Sequence, residues 1–147
     1  MDLNALEKSL SKVRYRTGEL KATRKDFDGP LTPPEDPTPV KFNFDFRINQ
    51  STEHIRVDLK LGADTFYADY SVIMSGIWSA DENSPLPESI DEEVLGDAVR
   101  DLFAPRILAV ATAKINDLAR LIDCPTLNFD YSIDRTIKTA SFVRSER

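Results

Sequence analysis

Residues 41–50 read Lys-Phe-Asn-Phe-Asp-Phe-Arg-Ile-Asn-Gln, which puts Phe42, Phe44, Phe46 and Ile48 at alternate positions with polar residues between them. A period of two is a strand period, because side chains alternate across a pleated backbone but return only every 3.6 residues on a helix. The segment is therefore a strand with one buried face. Residues 54–61 repeat the pattern through Ile55, Val57, Leu59 and Leu61, and Gly62, Ala63 and Asp64 read as a turn. Residues 65–78 carry it further through Phe66, Ala68, Tyr70, Val72, Met74, Gly76 and Trp78. Three alternating segments joined by short connections predict an antiparallel meander. From Ile73 onward the opposite face is partly apolar as well, so cover on both sides is expected there.

The flanks are less constrained. Leu3, Leu6, Leu10 and Val13 keep helical spacing and predict an amino-terminal helix over residues 1–13. Residues 14–27 alternate imperfectly and read as a strand with a bulge or bend at Gly18. Five of the nine prolines lie in 30–39, a stiff crossover between strands. No basic anchor flanks it, as a Pro-rich docking ligand would have. After the meander, Ser89 and Glu92 form a capping-box pattern, and Val94, Leu95, Ala98, Val99 and Leu102 mark a short amphipathic helix. Pro105 then suits the first turn of a second, longer helix with Leu108, Ala111, Ile115, Leu118 and Ile122 on one stripe, broadened by Ile107, Val110 and Leu121. Leu127, Phe129, Tyr131 and Ile133 predict a last strand, and residues 140–147 a flexible tail. The 147 residues make one domain of α+β class.

Chemistry is sparse. His54 is the single histidine and sits on the polar face of a strand; Cys124 is the single cysteine, so no intrachain disulfide forms. Phosphate loops, dinucleotide glycine patterns, nucleophile elbows and zinc motifs are missing. Glu88, Asp91, Glu92 and Glu93 lack the oxygen spacing and central glycine of a calcium loop, and read as a solvated helix start. No catalytic residue, metal site or cofactor is expected, and the chain reads as a non-enzyme. The net charge of −6 argues against nucleic acid, but residues 81–101 alone hold eight acids and one base. The remainder is near neutral, and residues 8–25 carry seven bases against one acid. No apolar run approaches the roughly 18 residues of a membrane span, so no membrane insertion and a cytoplasmic location are expected.

Two stretches of sequence, and their order, resemble the SecB family of export chaperones and its SecB-like relatives. One is Tyr70-Ser-Val-Ile-Met-Ser-Gly-Ile-Trp78. The other begins at Leu95-Gly96, runs through Leu102-Phe103-Ala104-Pro105-Arg106, and closes with Cys124-Pro125-Thr126-Leu127-Asn128-Phe129. The resemblance covers about Val40 to Phe129. It implies a four-stranded antiparallel sheet with a long helix packed on one face. It also implies a homotetrameric dimer of dimers associating through the helices, and an ATP-independent holdase that binds unfolded or nascent polypeptides in apolar grooves. Phe42, Phe44, Phe46, Ile77, Trp78, Leu102 and Phe103 are the groove candidates, on apolar character. Tyr70, Val72 and Met74, with Ile107, Ala111, Ile115 and Leu118 on the helix, are the candidate subunit contacts.

Departures narrow what is implied. Where export members carry a leucine and a glutamate that help dock the SecA motor, this chain has Asp69 and Ser71, and the family's Pro-Tyr helix start is Pro105-Arg106. The ending resembles a strand followed by Arg144 to Arg147 rather than a second helix and acidic tail. SecA docking is therefore not expected. The chain is more similar to atypical SecB-like proteins, some of which chaperone an antitoxin. The alternative is a structural or adaptor protein whose own side chains fill the grooves.

Overall fold

The computed structural model describes residues 1–25, 41–127 and 144–145. Asp2 sets the first element: its carboxylate accepts the Ala5 N–H at 2.8 Å and caps α1, Leu3–Ser9. The helix is shorter than the expected 1–13. Leu10 already begins β1, Leu10–Arg24, because the Val13, Tyr15 alternation takes over from helical spacing. The β1 register against its neighbour shifts between Thr17 and Glu19, so Gly18 is the bulge its sequence suggested. The meander follows as β2, Lys41–Gln50, β3, His54–Asp64, and β4, Ala68–Ala80.

The turn between β3 and β4 lies later than Gly62-Ala63-Asp64, which stay in the ladder opposite Asn43, Phe42 and Lys41. Thr65 makes the turn instead. Its hydroxyl oxygen accepts the N–H groups of Tyr67 and Ala68, and the hydroxyl donates to the Ala68 carbonyl. Phe66 consequently falls in the connection rather than in a strand. Strand order is β1-β4-β3-β2-β5, the first four antiparallel. The fifth, β5, is Arg144–Ser145 running parallel to β2, so part of the segment expected as a tail is paired. The Pro-rich crossover at 30–39 and the expected strand beyond Leu127, with Phe129, Tyr131 and Ile133, lie outside the described residues.

One helical run covers the inner face of the sheet. It starts at Asp91, whose side chain accepts the Glu93 N–H, and not at Ser89. α2, Glu92–Ala98, passes through a π turn, Val99–Phe103, into α3, Ala104–Leu121, without a break. Pro105 is the reason for the turn: it cannot donate to the Asp101 carbonyl, and widening to the Ala104 N–H···O=C Val99 bond accommodates its ring. Ile107, Ala111, Ile115 and Ala119 are fully buried against the sheet. Burial of each isoleucine contributes roughly 1.5–3 kcal/mol relative to exposure. The opposite face of the sheet is open among the described residues: Ile73, expected to be covered, is 36% exposed.

Asn116 ties down the chain after α3. Its amide accepts the Leu127 N–H at 2.8 Å and donates to the Leu127 carbonyl at 3.2 Å. Gln50 does the same for the acidic connection between β4 and α2. It donates to the Pro87 carbonyl and accepts the Ile90 N–H, while Leu86 N–H reaches the Thr52 carbonyl.

Candidate functional site

Where β1 begins, the described residues cover the inner face of the sheet only in part. Antiparallel pairing puts Val13 opposite Trp78 and Tyr15 opposite Gly76, and the π turn brings Leu102 and Phe103 over them. The result is a cleft of about 100 Å³ lined by Leu10, Val13, Trp78, Leu102 and Phe103 and by the polar residues Glu7, Ser11, Lys12 and Arg106. An apolar cavity of about 150 Å³ takes a benzene ring, so this cleft is sized for one aliphatic side chain. Val13 is 43% exposed at the mouth. The Arg106–Glu7 pair, at 4.0 Å and half exposed on both sides, is too long and too wet to close it.

The cleft wall is aromatic and rigid. The Trp78 ring lies 4.5 Å from Phe103 at a 46° tilt and 5.9 Å from Tyr15 edge to face, centroid to centroid. Gly76 makes this possible, because a Cβ there would stand 2.4 and 2.5 Å from the Trp78 ring carbons. The Trp78 Nε1–H is buried without a hydrogen-bond partner among the described residues. Burial pushes the Tyr15 hydroxyl pKa up, opposed by the Arg106 charge.

The groove candidates therefore divide. Trp78, Leu102 and Phe103 share the cleft. Phe42 and Phe44 are half-buried and stacked on each other at 5.9 Å, while Phe46 is in the core at 1% exposure. Ile77 points to the opposite face, in the row of Arg14 and Arg56. Val13, Leu10, Tyr15 and Gly76 lie outside the groove candidates; the strand alternation from Val13 to Tyr15 is the signal that points to them. Of the candidate subunit contacts, Tyr70, Val72, Met74, Ile107, Ala111 and Ile115 are all buried in this chain's own core. Leu118 is half-buried, and Leu121 beside it is 80% exposed.

Among the described residues no group of three or more metal-binding side chains occurs, and no helix is long and apolar enough to cross a membrane. Tyr70 is buried with the Cys124 thiol beside it, and burial, with a smaller contribution from that thiol, pushes its hydroxyl up to about 12. Below pH 10 the folded and unfolded chains hold this proton alike. Between the ordinary value of 10.0 and about 12 the unfolded chain loses it and the folded chain does not. Stability then falls as pH rises, by about 1.4 kcal/mol per unit. Urea midpoints at pH 9 and pH 11 should show the fall, and Tyr70→Phe should flatten it.

No protein-family model matches the chain, and no curated protein matches it. Among solved structures it is similar to the SecB-like chaperone Rv1957 of Mycobacterium tuberculosis, in complex with a ChAD peptide from the Rv1956 HigA1 antitoxin. The TM-score is 0.62 over 87% of this chain and 91% of that one, at 13% identity. The chain has the SecB-like fold.

Proposed function

We propose that this chain is a SecB-like, ATP-independent holdase that binds unfolded or nascent polypeptide, serving export or one dedicated client such as an antitoxin. The observation that carries the reading is the cleft between β1 and the π turn. It is a small cleft with an apolar wall at Leu10, Val13 and Leu102, polar residues around it and an exposed mouth, set beside β1, whose outer edge has no strand partner in the described sheet. An extended client presents scattered apolar side chains and free backbone groups. A cleft next to a strand edge meets both without sequence specificity. No cofactor and no chemical step are needed, and a cytoplasmic site of action belongs to the same proposal.

Assembly as a dimer of dimers belongs to it too. Leu121 and Leu118 on α3, and Leu20 on the inner side of β1, remain for contacts between copies. Light scattering checks this: four chains of 16.6 kDa per particle support it, and a stable monomer opposes it.

The site itself is tested by photo-crosslinking. A benzophenone side chain at Val13 should capture a chemically denatured polypeptide, while the same group at Asp117, exposed on α3, should capture much less. Equal capture at both positions would remove the cleft from the account. A second reading, an adaptor whose grooves are filled, is favoured by the burial of Phe46 and Trp78 at 1% and 2% exposure. Absence of capture at both positions supports it.

A further inference from the structure

The outer face of the sheet carries the bases that the cleft does not use. Cross-strand pairing arranges it in rows: Arg16, Ser75, Asp58 and Arg47 in one, and Arg14, Ile77, Arg56 and Asn49 in the next. The two rows hold four arginines and one carboxylate. Asp58 is already engaged, accepting Arg56 Nε at 2.8 Å and the Ser75 hydroxyl. Arg14, Arg16 and Arg47 are exposed, and none has an ion-pair partner among the described residues. Beside them the face is hollowed by about 460 Å³, lined by Arg47, Arg56, Lys60, Ile73 and Ser75 together with two carboxylates, Asp58 and Asp45, so that the bases of its wall still outnumber the acids by three to two. Gly18, at the bulge, adds no side chain over Ile73.

We infer that this trough docks an extended, acidic segment of a partner polypeptide, at a site separate from the apolar cleft on the other side of the sheet. The spacing carries the match. Arg16 and Arg47 are three strand steps apart, about 14 Å, with Arg56 between them one row over. An extended peptide laid across the strands presents same-side side chains about 6.6 Å apart. Two such repeats span about 13 Å, so carboxylates four residues apart meet Arg16 and Arg47. Ile73 and Ile77, the apolar residues of this face, suit the peptide's intervening side chains better than a phosphodiester backbone. The acids of residues 81–101 and the net charge of −6 disfavour a long polyanion that extends past the trough.

The test is an anisotropy titration of the intact chain at low salt. The probes are a labelled peptide of alternating glutamate and threonine, the same peptide with glutamine for glutamate, and an oligothymidylate of equal charge. The glutamate peptide should bind, weaken with added salt, and lose at least about tenfold in affinity with the exposed double change Arg16→Glu and Arg47→Glu. Glu19→Gln, which removes an acid from the same face, should tighten it. Crosslinking of denatured polypeptide at Val13 should not change in either variant, which separates this site from the cleft. Equal binding of the glutamine peptide, equal or tighter binding of oligothymidylate, or no effect of the double change would each overturn the inference.

Discussion

Gly76→Ala destabilises the protein by about 1–3 kcal/mol, the cost of forcing extra atoms into a packed core. The direction is the reverse of the ordinary one. Gly to Ala at a backbone conformation open to alanine stabilises by about 0.4–1 kcal/mol, by restricting the unfolded chain. At Gly76 the new Cβ stands 2.4 Å from the Trp78 ring. Phe103 lies against the ring and Tyr15 edge-on, so it can give way only by losing those contacts and moving into the cleft. Gly96→Ala supplies the control within the same chain. It lies in α2 with nothing within 4 Å of the added Cβ, so it gains helix propensity of about 1 kcal/mol. Urea denaturation of both variants should give shifts of opposite sign, and near-UV circular dichroism should report the displaced Trp78 in Gly76→Ala alone. Two shifts of the same sign would mean that Trp78 does not lie over Gly76.

Val13→Asp is the functional counterpart, and its effect is selective. Val13 is 43% exposed, so the change removes little buried area and leaves no buried charge unpaired. It does place a carboxylate on the apolar wall of the cleft, where any entering side chain must desolvate it. Capacity to hold denatured client should fall by an order of magnitude or more, while the urea midpoint moves within about 0.5 kcal/mol of the parent. Loss of holding together with loss of stability would instead place Val13 in the core.

The two predictions depend on residues of different legibility. The sheet was readable because period-two alternation leaves little choice: Phe42 to Ile48, Ile55 to Leu61 and Tyr70 to Trp78 are strands, with their apolar sides on one face. The Gly18 bulge was also visible, since an isolated glycine in a strand weakens regular pairing. Sequence failed where two local rules competed. Pro105 favours a helix start, yet the apolar stripe continues on both sides of it, and packing of that stripe outweighs a break once a π turn absorbs the missing donor. Gly62 and Asp64 favour a turn, yet the Thr65 hydroxyl organises it one step later. Val13 satisfied both helical and strand spacing; only pairing with Trp78 decided between them and put it at the cleft. The groove candidates rest on apolar character more than on exact correspondence to the family, and apolar character does not distinguish Phe46 in the core from Leu102 at a cleft wall.

The central claim is that the intact chain holds unfolded polypeptide through this cleft. It is tested most directly by light scattering from a chemically denatured client diluted out of denaturant, with the parent chain or Val13→Asp present at an equimolar ratio. The account predicts that the parent suppresses the rise in scattering without ATP and that Val13→Asp, folded to the same extent, does not. A parent chain that leaves the client to aggregate at its unassisted rate would contradict it.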